Sequence, residues 1–117
     1  MSLYLTPMQV GDVTLIEAAG RITLGQSVVS LRDQIHELAG NGRTKIVLNL
    51  AQVAYIDSSG LGELVSAYAT IANAGGKIKL LHLTSRVRDL LQITKLTTLF
   101  ETFEDEAEAL RSFAHVK

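Results

Sequence analysis

The sequence predicts an α/β fold built on a mixed sheet of four to five strands with about four helices. Strand-length apolar runs alternate with helical patterns from the third element onward, and this alternation is typical of parallel strands joined by crossover helices. The first two strands instead flank the short turn Val10-Gly11-Asp12, which predicts an antiparallel hairpin. The chain therefore favours a sheet that begins antiparallel and continues mostly parallel.

The first half of the chain predicts a hairpin, one helix and one central strand. Residues 13–18 have the composition of a strand, and residues 3–9 are its predicted partner. A helix follows Gly25 and ends at residues 40–42, Gly-Asn-Gly, which is a common way for a helix to stop. Residues 45–50 alternate too weakly for a half-exposed strand, so they predict one buried on both faces. The apolar helix positions recur at spacings of three and four: Val28, Leu31, Ile35 and Leu38.

The second half of the chain predicts three helices, one further strand and a short edge strand. A helix follows Asp57, a strand spans residues 77–83, and a helix spans residues 85–94. Residues 100–103 predict a short edge strand, and residues 105–114 a last helix with acidic residues in its first turn, where the helix dipole favours them. The expected buried stripe of the helix after Asp57 is Leu61, Leu64, Val65, Tyr68, Ala69 and Ala72.

The composition argues against several classes of protein. A length of 117 residues fits one domain, residues 1–117. The chain has no cysteine, so it can form neither disulfides nor thiolate zinc sites. A net charge of −1 without a basic stripe argues against nucleic-acid binding. No apolar run approaches the roughly 20 residues of a membrane span, and the N-terminus lacks the pattern of a signal peptide. We therefore expect a soluble, cytoplasmic bacterial protein without direct membrane insertion.

The segment Asp57-Ser58-Ser59-Gly60 joins the central strand to a helix and is the candidate functional site. Asp57 or Ser58 is in position to cap the helix through a side-chain oxygen. The first-turn N–H groups lack helical partners and make the site mildly positive. Gly60 and Gly62 keep side chains away, so another molecule can approach the backbone closely. A serine hydroxyl here can accept a phosphate, although the same residues also compose ordinary turns and caps.

Residues 46–62 closely resemble the STAS family of anti-sigma-factor antagonists. In that family an apolar strand leads into Asp-Ser-(Ser/Thr)-Gly-Leu-Gly and then into a helix. The continuation is also similar, with Ala74-Gly75-Gly76 before a strand and Ser85-Arg86-Val87-Arg88 opening a helix. The resemblance covers most of the chain and implies the STAS fold, with residues 1–117 as a single STAS domain.

The resemblance implies a partner switch. In the family the unphosphorylated antagonist binds an anti-sigma factor that is also a serine kinase, which releases the sigma factor. The kinase phosphorylates the serine directly after the aspartate, and a serine phosphatase reverses this. By position the acceptor here is Ser58, supported by Asp57. Family members often carry an acidic or amide residue where this chain has Thr23. No enzyme activity and no cofactor are expected, and the expected partner-binding residues are Thr23, Asp57, Ser58, Ser59, Gly60, Leu61 and Gly62.

Another class of function is also compatible with the sequence. A non-switching STAS scaffold, either in a stress-signalling assembly or in a lipid-transport complex, would use Ser58 mainly as a helix cap. Phosphorylation of Ser58 distinguishes the two functions, since the switch requires it and the scaffold does not.

Three other patterns are not expected to carry chemistry. Residues 20–27, between a strand and a helix, match a P-loop except that Gln26 replaces the lysine that contacts phosphate. The three histidines, His36, His82 and His115, lack ligand spacing, so no metal site is expected. The serine pair does not match the Gly-x-Ser-x-Gly pattern of hydrolases, and nothing supports a small nucleotide hydrolase.

Overall fold

The computed structural model describes residues 3–114, so His115 lies outside the described residues. The five strands are β1 Leu3–Val10, β2 Val13–Ile22, β3 Lys45–Ile56, β4 Lys77–Leu81 and β5 Thr102–Phe103. The four α-helices are α1 Gln26–Gly40, α2 Ser58–Asn73, α3 Ser85–Ile93 and α4 Glu106–Arg111. Two short 3₁₀ turns, Leu96–Thr98 and Ser112–Ala114, complete these elements.

The strands form one sheet in the order β1-β2-β3-β4-β5. β1 and β2 pair antiparallel, and every other neighbouring pair is parallel. The predicted α/β fold with a mixed sheet is therefore confirmed. Because β2, β3 and β4 run in the same direction, the segments that follow them meet at one edge of the sheet, where α/β proteins commonly place their sites. Residues 23–25, Asp57 and residues 82–84 are those segments.

The core lies on both faces of the sheet, which explains the weak alternation of β3. Ile46 and Leu48 belong to the larger cluster, which also contains the buried side chains of α1, α2 and α3. Val47 belongs to a smaller cluster on the opposite face. Successive strand residues point to opposite faces, so a strand covered on both faces is apolar throughout. The smaller cluster consists of Val13, Leu15, Val47, Leu81, Ala109 and Phe113.

Several elements differ in length from the predictions. β3 continues to Ile56 although residues 51, 52, 54 and 55 are exposed, because pairing with β2 holds that part of the strand. β2 itself continues to Ile22, so residues 20–22 are strand and do not belong to a loop. β4 ends at Leu81 because His82 adopts a positive φ of 57°. β5 contains only Thr102 and Phe103, and the last α-helix ends at Arg111 before a 3₁₀ turn.

The predicted stripe of α2 is partly wrong. Ala69 and Ala72 are exposed, Leu64 is buried, and Leu61, Val65 and Tyr68 are half-buried. The helix is rotated relative to the predicted stripe, so that its inward face follows Gly60, Leu64, Ala67 and Ile71 at spacings of three and four. The buried positions of α2 are Gly60, Glu63, Leu64, Ala67 and Ile71.

An ion pair between the buried Glu63 carboxylate and the exposed Arg32 guanidinium connects α2 to α1. Glu63 is only 5% exposed, and its Oε1 accepts hydrogen bonds from Arg32 Nη2 at 3.2 Å and Nε at 3.3 Å. A buried carboxylate without a partner is strongly unfavourable. The pair therefore fixes the position of α1 relative to the helix that carries the candidate site.

We expect Leu48→Ala to lower the free energy of unfolding by about 3 kcal/mol, because the truncation leaves a cavity in the main cluster. Leu24→Ala is the matched control, since Leu24 is 78% exposed and exposed truncations change stability by about 0.5 kcal/mol or less. Denaturant unfolding followed by circular dichroism measures both values. Equal losses for the two variants would contradict the described core.

Candidate functional site

Asp57 caps α2 at the edge of the sheet. Its backbone is extended, with φ −94° and ψ −175°, and its Oδ1 accepts a hydrogen bond from the Gly60 N–H at 2.8 Å. Its carbonyl oxygen accepts from the Leu61 N–H at 2.9 Å and so closes the first helical turn. The sequence left Asp57 and Ser58 as alternative caps, and the structure assigns this role to Asp57.

Asp57 also holds the loop between β2 and α1. Its Oδ2 accepts a hydrogen bond from the Leu24 N–H at 3.0 Å, and its own N–H donates to the Ile22 carbonyl oxygen at 3.2 Å. The hydrogen bonds from the N–H groups of Leu24 and Gly60 lower the pKa of the Asp57 carboxyl below its ordinary value. Both carboxylate oxygens are thus engaged, so Asp57 anchors the site and is poorly placed to act as a free base.

The two serines after Asp57 have different surroundings. Ser58 is exposed, and its hydroxyl makes no hydrogen bond to any residue between 3 and 114. Ser59 is half-buried. Ser58 is the first residue of α2, where backbone N–H groups favour negative charge. An enzyme approaching from solvent therefore reaches the Ser58 hydroxyl more easily than that of Ser59.

The two glycines of the site have different roles. A side chain at Gly60 would place its Cβ 2.0 Å from the Ile22 carbonyl oxygen, so β2 itself requires glycine at this position. At Gly62 nothing lies within 4 Å of a built Cβ, and the residue is exposed. Gly60 is therefore required by packing within the chain. Gly62 leaves the helix surface open, so another molecule can approach the backbone closely there.

Thr23 closes the loop before α1. Its N–H donates to the Ser27 hydroxyl at 2.8 Å, and that hydroxyl donates to the Thr23 carbonyl oxygen at 2.7 Å. Thr23 is half-buried and does not line the groove beside Ser58. The neighbouring Leu24, which the sequence analysis missed, brings this loop to the site through its N–H. The available signal was an apolar residue next to a glycine in a loop.

A groove of about 390 Å³ lies between the start of α2 and α3. Ser58 and Leu61 line it from α2, and Arg86 and Leu90 line it from α3. Tyr55, near the end of β3, also lines the groove. The groove combines apolar side chains with the exposed Ser58 hydroxyl, the Asp57 carboxylate and the Arg86 guanidinium, an arrangement that suits binding of a partner.

Two classes of feature are absent from residues 3–114. No three His, Cys, Asp or Glu side chains come together in an arrangement that could hold a metal ion. None of the helices in this range combines the length and apolar character that crossing a membrane requires.

The family model described as the STAS domain matches residues 4–109. The chain belongs to the STAS domain family. Among curated proteins, the anti-sigma-B factor antagonist of Bacillus subtilis (strain 168) is 33% identical over 86 residues, which cover 74% of this chain and 77% of that protein.

Solved structures show the same STAS fold. A protein of Thermotoga maritima has a TM-score of 0.86 at 24% identity, with 92% of each chain covered. The Bacillus cell fate determinant SpoIIAA in its phosphorylated form has a TM-score of 0.74 at 21% identity, with 94% of this chain and 99% of that chain covered. At these identities the similarity establishes the fold and its element order.

In this STAS domain we expect Gly60→Ala and Gly62→Ala to have opposite effects on stability. Gly60→Ala destabilises the fold because its Cβ meets the Ile22 carbonyl oxygen. Gly62→Ala stabilises it by about 0.5–1 kcal/mol, since alanine is the better helix former and the space is free. Thermal and denaturant unfolding measure both, and a neutral Gly60→Ala would contradict the described contact.

We expect Asp57→Asn to destabilise the protein at pH 7, and this effect to disappear in acid. The carboxyl group has a lowered pKa in the folded protein. Its ionised form therefore adds to the free energy of unfolding above the unfolded pKa of about 4. The contribution is lost as pH falls through the folded pKa. Unfolding at several pH values tests this, with the exposed Asp89→Asn on α3 as control. A stability difference unchanged between pH 7 and pH 2 would contradict the role of the charge.

Proposed function

We propose that this protein is an anti-sigma-factor antagonist controlled by phosphorylation of Ser58. The unphosphorylated form binds an anti-sigma factor that is also a serine kinase, and the sigma factor is released. Phosphorylation of Ser58 by that kinase ends the binding, and a serine phosphatase restores it. The name of the Bacillus subtilis relative and the phosphorylated form of SpoIIAA support this function.

The exposed Ser58 hydroxyl carries the proposal. It stands on the first turn of α2, next to a capping residue that is bonded to both the helix and the loop after β2. A kinase needs an accessible hydroxyl, and a switch needs that hydroxyl at a defined place in an interface. The start of α2 provides both, because its position is fixed by backbone hydrogen bonds and its surface is free.

The surface around Ser58 is suitable for docking a partner. Gly62 is exposed, and Leu24 exposes 78% of its surface beside Asp57. Leu61 is half-buried and lines the groove. An apolar contact with adjacent open backbone lets a partner pack closely around the hydroxyl. The proposed interface comprises Leu24 and the predicted residues Asp57, Ser58, Ser59, Gly60, Leu61 and Gly62. Thr23 contributes through the shape of the loop that holds Leu24.

The phosphate acts through charge and hydration. It adds about −1.5 to −2 charges at neutral pH to a place where the partner accepted a neutral hydroxyl. Burying that charge or placing it near like charges costs several kcal/mol. A loss of about 3 kcal/mol weakens binding roughly 100-fold. The domain itself does not need to refold for this effect.

Other features belong to the same proposal. The protein acts by binding and does not catalyse a reaction. Its place is the cytoplasm, where sigma factors work, and residues 1–117 act as a single STAS domain. The continuous sheet of five strands supports the last point.

We expect Ser58→Ala to abolish phosphorylation while preserving binding, and Ser58→Asp to weaken binding by up to about 100-fold. Incubation with a cognate anti-sigma kinase and ATP, followed by intact mass and peptide mapping, locates the phosphate. Calorimetry measures the binding of each variant. Ser59→Ala is the matched control for the acceptor and is expected to retain phosphorylation at Ser58.

Two outcomes would contradict the proposal. A phosphate found only on Ser59 would move the switch to the half-buried serine. The absence of any phosphate, together with stable co-purification in a large assembly, would favour the non-switching scaffold.

A further inference from the structure

Two arginines meet at one aromatic ring in the groove beside Ser58. The guanidinium carbon of Arg21 lies 5.6 Å from the centre of the Tyr55 ring, and that of Arg86 lies 5.8 Å from it. Arg21 and Tyr55 are direct neighbours in the register of β2 and β3. Arg86 and Ser58 line the same groove. The fold thus gathers residues from two strands and two helices around one small space.

The positive charges of this pair have no carboxylate partner within residues 3–114. Two other arginines of this range are paired, Arg32 with Glu63 and Arg88 with Glu104. Among residues 3–114, Asp57 is the only one whose carboxylate lines the groove, and its two oxygens accept hydrogen bonds from backbone N–H groups. Arg86 and Asp57 balance each other within the groove lining, and the adjacent Arg21 gives this region one net positive charge next to the exposed Ser58 hydroxyl.

The position of Arg86 is not explained by stability. It lies in the first turn of α3, where the helix dipole disfavours a cation, and no acidic residue occupies that turn. The contact with an exposed aromatic ring is a weak attraction. A guanidinium held loosely at an unfavourable place can turn towards a stronger partner, and a phosphate is such a partner because it accepts two parallel N–H hydrogen bonds.

We propose that Arg86, assisted by Arg21, binds the phosphate of phosphorylated Ser58 within the same molecule. The inference rests on the proposed modification of Ser58 and adds what the modified residue does. The guanidinium of Arg86 leaves the face of Tyr55 and donates to the phosphate oxygens, while Arg21 contributes positive charge nearby.

This capture changes two properties of the docking surface at once. The group formed by Arg21, Arg86, Asp57 and Ser58 changes from net positive to net negative, since the phosphate adds about −1.5 to −2 charges. Arg86 is then no longer free to bond with a partner. A partner that uses the cationic groove in the unphosphorylated form loses that contact in addition to meeting the phosphate. The phosphorylated protein also keeps an ordered phosphate, which presents one defined form to the phosphatase.

The test uses protein in which phosphoserine is installed at position 58 during translation, so that no kinase is needed. Phosphorus NMR then measures the second ionisation of the phosphate as a function of pH. Nearby guanidinium groups favour the dianion, so we expect its pKa to lie about half a unit below the usual value near 6. Asp57 is present in every variant, so its opposing charge does not affect the comparison.

Arg86→Gln is expected to raise this pKa back towards the ordinary value, and Arg21→Gln to raise it by a smaller amount. Arg86→Lys, which keeps the charge but lacks the planar fork, should give an intermediate value. Arg88→Gln is the matched control on the same helix, because Arg88 pairs with Glu104 and should leave the titration unchanged. Proton–nitrogen spectra of each variant verify that the fold is intact.

Identical titration curves for the unsubstituted protein and Arg86→Gln would overturn the inference. An equal shift from Arg88→Gln would also overturn it, since the effect would then reflect general charge. Because the phosphate is installed directly, either result would leave the kinase reaction at Ser58 untouched. A kinase that fails to modify Ser58 would count against the proposed function and would not alter the outcome of this titration.

Discussion

The Asp57 carboxylate holds the candidate site together. One of its oxygens caps α2 through Gly60, and the other binds the N–H of Leu24, which lies 33 residues earlier in the chain. The same residue donates its own N–H to Ile22 at the end of β2. A single side chain thus joins the two loops at the edge of the sheet. The lowered pKa of this carboxyl keeps it charged, so its hydrogen bonds persist throughout the physiological pH range.

A second contact between the same elements limits how far they can move. The buried Glu63 accepts hydrogen bonds from Arg32, which connects the second turn of α2 to the middle of α1. α2 packs so closely against the backbone of β2 at Gly60 that no side chain fits there. The start of α2 is therefore a rigid platform. Under the proposed function, phosphorylation of Ser58 would alter the surface of the domain and would not require its packing to change.

The groove beside Ser58 gives this surface a chemical character of its own. Its lining is mostly apolar, and its charged groups are the Asp57 carboxylate, the Arg86 guanidinium and the adjacent Arg21. An unmodified hydroxyl leaves that charge available to a partner, and a phosphate would compete for it. Under the proposed phosphate capture, the same residues would therefore serve both the unmodified and the phosphorylated protein.

The sequence alone determined the features that depend on neighbouring residues. Periodicity predicted four helices and the mixed order of the sheet, and local composition placed the cap and the exposed serine at residues 57–60. Tertiary structure decided the strand lengths and helix faces, because these depend on residues that are distant in the sequence. Pairing with β2 extended β3 to Ile56, and packing rotated α2 so that Ala69 and Ala72 face solvent.

The composition of the site was likewise only partly visible in the sequence. The residues after Asp57 form one continuous run, so their motif could be recognised from the chain alone. Leu24, Arg86 and Tyr55 come from separate loops, helices and strands, and no local pattern connects them. The hydrogen bonds and charges of the site depend on which loops the parallel strands bring together at one edge of the sheet. That arrangement is a property of the folded sheet, because contacts between distant segments are set by packing of the whole core and not by the residues of either segment.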